Sequence, residues 1–415
     1  MTFFDMACRG CGARRVEPFL DLGDQPHCNR LIPERLAAIP EPKFPLRAGF
    51  CHDCTLVQID HTIPKESMFS DYPYVSGTTR TLTEHFKETA ARLSATFGLG
   101  PQDLVVDIGS NDGTALKAYQ ALGLRTLGVE PAANVATLAL EAGVETLNRF
   151  FNEETAAVIR RDYGPAKLVT AAGVFFHLEE LHSVCRGIQQ LLAEDGVFSV
   201  QAIYLGGMVE KTAFDQIYHE HLCYYTLRSL QALLAQHGLE VFEVSVKPIH
   251  GGSLEAHIGH PGKRPVSPRV AEMLAEEARA GLGELATYQA FADRVWRLRD
   301  DLLAALHDQA ARGRRVFAYS APAKGATLLN AFGIGPDLVQ CAVERAPLKF
   351  DHLIPGARIP IRDEAKTERP DAYLMLAWNF LDEFIVKERD FLRAGGEFIV
   401  PVPHVRVVGA EALAA

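Results

Sequence analysis

Hydrophobic and polar positions along the chain fall into two alternating periods. Leu104-Val105-Val106-Asp107-Ile108 is a β-branched run that meets a glycine-rich turn and then a helical pattern. LRTLGVEPAANVATLALEAG, AKLVTAAGVFFHLEELHSVCRGIQQLLAEDG and VFSVQAIY repeat the alternation. Strands alternating with helices predict an α/β fold, a parallel sheet with helices on both faces. A polar helical segment, TLTEHFKETAARLSATFG, leads into this region. After it, residues 270–312 read as charged and helical up to Gly313, with Trp296 expected to pack between domains. GRRVFAYSAPAKGATLLNAFG then restarts the strand–turn–helix pattern, and DLVQCAVE, DAYLMLAW and EFIVPVP read as three more strands, so a second α/β domain is predicted there. Residues 1–65 precede this alternation.

That first region is decided by its cysteines. Cys8-Arg-Gly-Cys11 and Cys51-His-Asp-Cys54 are two C-x-x-C knuckles, each followed by a residue suited to a tight turn, Gly12 and Thr55. Four thiolates predict a closed tetrahedral zinc site with a structural role. The 39 residues between the knuckles exceed the usual spacing of compact zinc ribbons and imply a proline-rich insertion, in which His27 and Cys28 are alternative ligands. Eight cysteines in all, with no apolar n-terminal leader and no run long enough to span a bilayer, lead to the expectation of reduced thiols in the cytoplasm. A net charge of −10 removes the basic excess that nucleic acid or an acidic membrane would need. The chain is too long, at 415 residues, for one core. The oligomeric state stays open, a monomer included.

The turn Asp107-Ile-Gly109-Ser-Asn111-Asp-Gly113 is not a G-x-G-x-x-G dinucleotide fingerprint. Its glycines let backbone approach a ligand at a helix N-terminus, and the strand-end acid suits an ammonium group. Glu130 closes the next strand, where a carboxylate can bind both hydroxyls of a ribose. Together they form the pattern of class I S-adenosylmethionine (SAM) methyltransferases, with Asp107, Gly109, Asn111, Gly113 and Glu130 as candidate cofactor residues.

FDQIYHEHLCYYT, residues 214–226, concentrates Asp215, His219, Glu220 and His221 among three tyrosines. It reads as a metal site, a solvated loop or an acid/base site. Extended backbone would put His219 and His221 on one face, but a third ligand is not evident. His177 follows the expected fourth strand of the SAM region, and His182 reads as structural. Ser320-Ala-Pro-Ala-Lys324-Gly325 either holds a diphosphate with its helix N-terminus and Lys324, or is an ordinary connection capped by Ser320.

Several separated stretches, in order, resemble one family along nearly the whole chain. They are the two knuckles, YPYVSG at 72–77, DIGSNDG, Phe176-His177-Leu178, IYHEH at 217–221, HGGSL at 250–254, SAPAKGATLLNAFG and PGARIPI. The chain is similar to the three-domain, zinc-containing sugar C-methyltransferases that build branched deoxysugars for antibiotics from nucleotide-linked 4-keto sugars. The resemblance implies a zinc-binding domain over residues 1–65, a Rossmann-like SAM domain over 66–262 and a C-terminal α/β domain over 263–415 that helps hold the substrate. It further implies that Tyr72, His177, Tyr218, Glu220 and His221 line the sugar site, with His221 as general base. Such a base would remove the proton beside a ketone, and the resulting enolate would be methylated. The chain departs from the family at Gly173-Val174, where an Asn is usual, at Glu255, where an Arg is common, and at LKFDHLIPG. An acid in place of a base is expected to alter the substrate rather than the chemistry. The alternatives are an N- or O-methyltransferase, and a non-catalytic SAM- or nucleotide-binding protein with a zinc docking module. The cluster of histidines favours the first reading, since a binding protein needs no base.

Overall fold

The computed structural model describes residues 3–78, 80–248 and 252–413, so His250 and Gly251 of the HGGSL stretch lie outside the described residues. A seven-stranded sheet forms its centre, in the order Glu240–Lys247, Ser253–Gly259, Leu192–Ile203, Ala166–Ala172, Leu104–Ile108, Arg125–Val129, Thr146–Leu147. The five strands from Leu192–Ile203 to Thr146–Leu147 are parallel, while Ser253–Gly259 runs antiparallel to both of its neighbours. All five residues of Leu104–Ile108 are buried, as befits a central strand covered on both faces. Local signals fix several of the helices. Asn152 caps Glu153–Tyr163 by accepting from the Thr155 amide, Thr226 and Ser229 form a capping box for Leu227–Ala235, and Ser267 precedes a proline at the start of Pro268–Arg279.

A second α/β sheet follows, in the order Ile361–Asp363, Ala342–Glu344, Val316–Tyr319, Ala372–Met375, Glu397–Val400, Arg406–Val408. It holds the four strands expected from the sequence and two more. Ile361–Asp363 and Arg406–Val408 are three residues long, too short to show a period. The charged helical stretch divides into Pro268–Arg279 and Leu285–Ala311. Within the second of these helices, Tyr288 inserts between Phe19 and Phe50 of the N-terminal region, with ring centroids 5.3 and 5.2 Å away. Trp296 is partly buried against the core and carries Arg299 over its ring.

The N-terminal region is a hairpin, Val16–Pro26 against Lys43–Cys51, extended by Val57–Ile59. Its fourth strand, Cys223–Tyr224, comes from the far end of the central region. Ile32–Pro33, inside the proline-rich insertion, pairs with His352–Leu353 of the C-terminal region, within the LKFDHLIPG stretch. One contiguous hydrophobic core accordingly runs from Phe4 to Val402, and a smaller one lies under the helix Arg80–Phe97. Among the described residues, no helix is long and apolar enough to cross a membrane.

Candidate active site

The four knuckle cysteines converge. Their sulfurs lie within 4.8 Å of one another, with Cys8 Sγ 3.5 Å from Cys54 Sγ and Cys11 Sγ 3.6 Å from Cys51 Sγ. A tetrahedral zinc with Zn–S bonds of about 2.3 Å needs sulfurs about 3.8 Å apart, so the donor set fits that ion. Gly12 and Thr55 have φ of 75° and 63° and donate their amides back to the Cys8 and Cys51 carbonyls, closing each knuckle as a tight turn. His27 and Cys28 take no part in this cluster. They sit at the far end of the hairpin, beside Glu220.

In the central sheet, Asp107 is buried at the end of its strand and accepts from Thr170 Oγ1 at 2.6 Å. Burial lifts its carboxyl to about 7, the Thr170 bond opposes the shift and Glu130 adds to it. A buried acid of this kind wants a cation, and the ammonium of SAM is one. Gly109 and Gly113 have φ of 70° and 76°, and a Cβ at either would stand 2.8 and 2.9 Å from Val174 and Val144. Only glycine fits there. Glu130 accepts amide hydrogens from Asn111 at 2.9 Å and Ala132 at 2.8 Å, which leaves acceptor capacity on both oxygens for two hydroxyls. These residues suit SAM, which the site would hold by its ammonium and ribose. Residues 72–77 form a strap against the same loop. Asn111 bonds the Ser76 amide and the Tyr74 carbonyl, Asp112 accepts from the Gly77 amide, and Asn134 brackets the Tyr72 backbone.

The HEH segment is not a strand, and among the described residues it joins no cluster of metal ligands. Successive side chains from 214–226 dock different parts of the molecule. Asp215, fully buried, accepts from Trp378 Nε1 at 2.7 Å in the C-terminal region, and burial raises its carboxyl. His219 accompanies Phe44 and His61, bonds the Pro45 carbonyl at 3.1 Å, and is driven down to about 4 by burial. Its ring thus belongs to the N-terminal hairpin, not to a shared face with His221. Glu220 is 0% exposed, and its oxygens accept from His27 Nε2 at 2.8 Å, Asn29 Nδ2 at 2.6 Å and the Tyr72 hydroxyl at 3.0 Å. Although burial opposes ionisation, the His27 bond and its neighbours hold this carboxyl below the usual range.

His221 lies under Tyr218, ring centroids 3.8 Å apart, with Phe176 at 4.5 Å and His177 at 5.0 Å. A carbonyl can only accept, so the 2.8 Å bond to the Gln216 carbonyl places a proton on His221 Nδ1. His177 Nδ1 likewise donates to the Glu220 carbonyl at 2.6 Å, and burial lowers the pKa of its ring. The two imidazoles stand side by side, each with Nδ1 turned to a main-chain carbonyl. His182 bonds His237 at 2.8 Å, away from this centre.

Lys324 is half-buried, with Nζ 4.2 Å over the Trp378 ring and bonded to Asn379, and burial lowers it to about 8 against the pull of Asp215. Ser320 has φ of 69° and does not cap the helix Ala323–Phe332, whose N-cap is Pro322. Glu255 takes its partners away from the HEH segment. It is buried on the central sheet and neutralised by Arg92 at 2.6 Å and Lys247 at 3.4 Å, so the exchange of base for acid is answered within the fold. Gly173, with φ of 76°, has open space where a Cβ would point. Sequence reasoning missed His27 and Asn29 as neighbours of Glu220. Their only signal was polarity inside a proline-rich insertion.

Three family models match the chain: "Putative zinc binding domain" over residues 8–69, "Methyltransferase domain" over 79–244 and "C-methyltransferase C-terminal domain" over 248–403. The C-methyltransferase NovU of Streptomyces niveus is 38% identical over 407 residues, which span 97% of each chain. Solved structures with lower likeness include magnesium protoporphyrin IX methyltransferase from Synechocystis with bound SAM, at 13% identity over 43% of this chain and 79% of that one, TM-score 0.33. CcbJ methyltransferase from Streptomyces caelestis is 15% identical over 42% and 89%, TM-score 0.32.

Proposed function

The chain belongs to the C-methyltransferase family, and from that premise we propose that it methylates a carbon beside the ketone of a nucleotide-linked 4-keto-deoxysugar, with His221 as base. The observation that carries the reading is the His221 tautomer. With Nδ1–H committed to the Gln216 carbonyl, a proton taken up by the ring would go to Nε2. The C–H proton passes to Nε2, its electron pair forms the new C=C bond, and the ketone oxygen becomes an enolate. Tyr218, whose ring centroid lies 3.8 Å from that of His221, would offer its hydroxyl to that oxygen, whereas the Tyr72 hydrogen is already given to Glu220. SAM, when bound beside Asp107 and Glu130, supplies the methyl group. Ser320 and Lys324 would meet the diphosphate end of the substrate, in the C-terminal region. The reading assigns residues 1–65, 66–262 and 263–415 to zinc, SAM and substrate roles, in a cytoplasmic enzyme.

In deuterated water without SAM, the full-length protein should exchange one α-hydrogen of a nucleotide-linked 4-keto-6-deoxysugar, read as a mass gain. His221→Ala should slow that exchange about 10²–10⁴-fold. Undiminished exchange in His221→Ala would remove His221 from the role, and no exchange by the unaltered protein would remove the enolate.

A further inference from the structure

We propose that His27 and Asn29, from the zinc-bearing N-terminal region, are positioning residues of the active site, setting Glu220 and through it Tyr72 and His177. The proposal rests on the enolate reading for its rate measurement, though not for its spectroscopic one.

The two oxygens of Glu220 are divided between different donors. Oε1 accepts from both His27 Nε2 and Asn29 Nδ2, at 2.8 and 2.6 Å, whereas Oε2 accepts from the Tyr72 hydroxyl at 3.0 Å. With Oε1 already serving two donors, Tyr72 is directed to Oε2, and its hydroxyl hydrogen is fixed on that line. The lone pairs of Tyr72 then point elsewhere. The same residue presents its main-chain carbonyl to His177 Nδ1 at 2.6 Å, which sets the tautomer of that ring. One residue thus fixes the hydroxyl rotor of Tyr72 and the tautomer of the imidazole that neighbours His221.

What holds Glu220 in place comes from 191 and 193 residues away in sequence. His27 follows directly on the strand Val16–Pro26, whose last paired residue, Pro26, stands opposite Lys43. The partner strand, Lys43–Cys51, ends in a zinc-ligand position. The hairpin therefore links the cysteine cluster to His27, through a ladder whose register shifts between Pro18 and Leu20 and between Asp21 and Asp24. A carboxylate with no solvent exposure needs every such donor, because each lost one leaves charge unanswered. A mere glue between domains would not require that both donors meet one oxygen while the other oxygen orients a hydroxyl in the site.

The test uses zinc-loaded full-length protein carrying Asn29→Ala, His27→Leu or His27→Gln, the last keeping an N–H donor. Zinc content and melting temperature establish that each variant is folded. Positioning predicts that Asn29→Ala and His27→Leu slow α-hydrogen exchange about 10–100-fold per folded molecule without weakening SAM binding, and that His27→Gln recovers most of the loss. It also predicts that the imidazole ¹⁵N resonances of His177 change from a single Nδ1–H tautomer to a mixture in the first two variants. Unchanged exchange per folded molecule together with unchanged His177 resonances would overturn the proposal. Where the unaltered protein shows no exchange, the enolate reading fails by itself, and the His177 resonances alone decide: a shift supports positioning, none refutes it.

Discussion

Glu130 and Glu220 are both buried carboxylates, one in the proposed cofactor pocket and one in the proposed substrate centre, and they are held in opposite ways. Glu130 draws its partners from the amides of Asn111 and Ala132, 19 and 2 residues away. Glu220 draws its partners from side chains 193, 191 and 148 residues away. Burial accordingly wins at Glu130, whose pKa rises, and loses at Glu220, whose pKa falls. The proposed cofactor pocket is a local object, made by one turn and the next strand. The proposed substrate centre is a meeting of three distant stretches of chain.

Removing each carboxylate should separate the two designs most strongly. Glu220→Ala strands His27, Asn29 and Tyr72, and its urea unfolding should show a loss of about 3–5 kcal/mol while SAM affinity holds. Glu130→Ala should do the reverse, weakening SAM binding by calorimetry about 10–100-fold with little loss of fold stability. Equal effects on both quantities in both variants would erase the distinction.

A smaller effect should come from pH. Asp107 is raised to about 7 from an ordinary 3.8. Its contribution to the stability of the free protein is therefore complete below pH 3.8 and declines as pH rises through 7. The ammonium of SAM needs the ionised form. SAM affinity should be about tenfold weaker at pH 6 than at pH 8, with a proton released on binding, and Asp107→Asn should flatten the profile. An unaltered slope in that variant would assign the proton to another group.

The smallest change is expected at His219. Its ring serves the Pro45 carbonyl and the Phe44 and His61 rings, so His219→Asn should cost about 1 kcal/mol in unfolding and leave α-hydrogen exchange as it was. A large loss of exchange would place His219 in the catalytic group.

The same contrast explains what could be read without coordinates. The glycine turn, Asp107 and Glu130 declare themselves because the groups that must meet lie within one strand–turn–helix unit, and the knuckles because C-x-x-C spacing encodes its own turn. The α/β alternation was visible for the same reason, except in the three-residue strands Ile361–Asp363 and Arg406–Val408. His27 and Asn29 were illegible because nothing near residue 27 speaks of residue 220. Glu255 misled in the other direction: its answering charge, Arg92, lies 163 residues upstream on a helix that the residue pattern around 255 does not mention. Within 214–226 the residue types were plain, but only packing distributes Asp215, His219, Glu220 and His221 among four environments.

The strand exchanged between Ile32–Pro33 and His352–Leu353 bears on how the molecule is made. Arg358 also bonds the Ala37 carbonyl across 321 residues. At a ribosomal pace of about 5–20 residues per second, the insertion carrying His27 and Asn29 waits on the order of 15–60 s for its last partner. The cysteine knuckles can capture their metal early in that interval, but the fourth strand of their sheet, Cys223–Tyr224, arrives late. Nascent chains would thus hold a metal long before they hold a working centre, and a truncated product, however well it folded locally, would be catalytically silent.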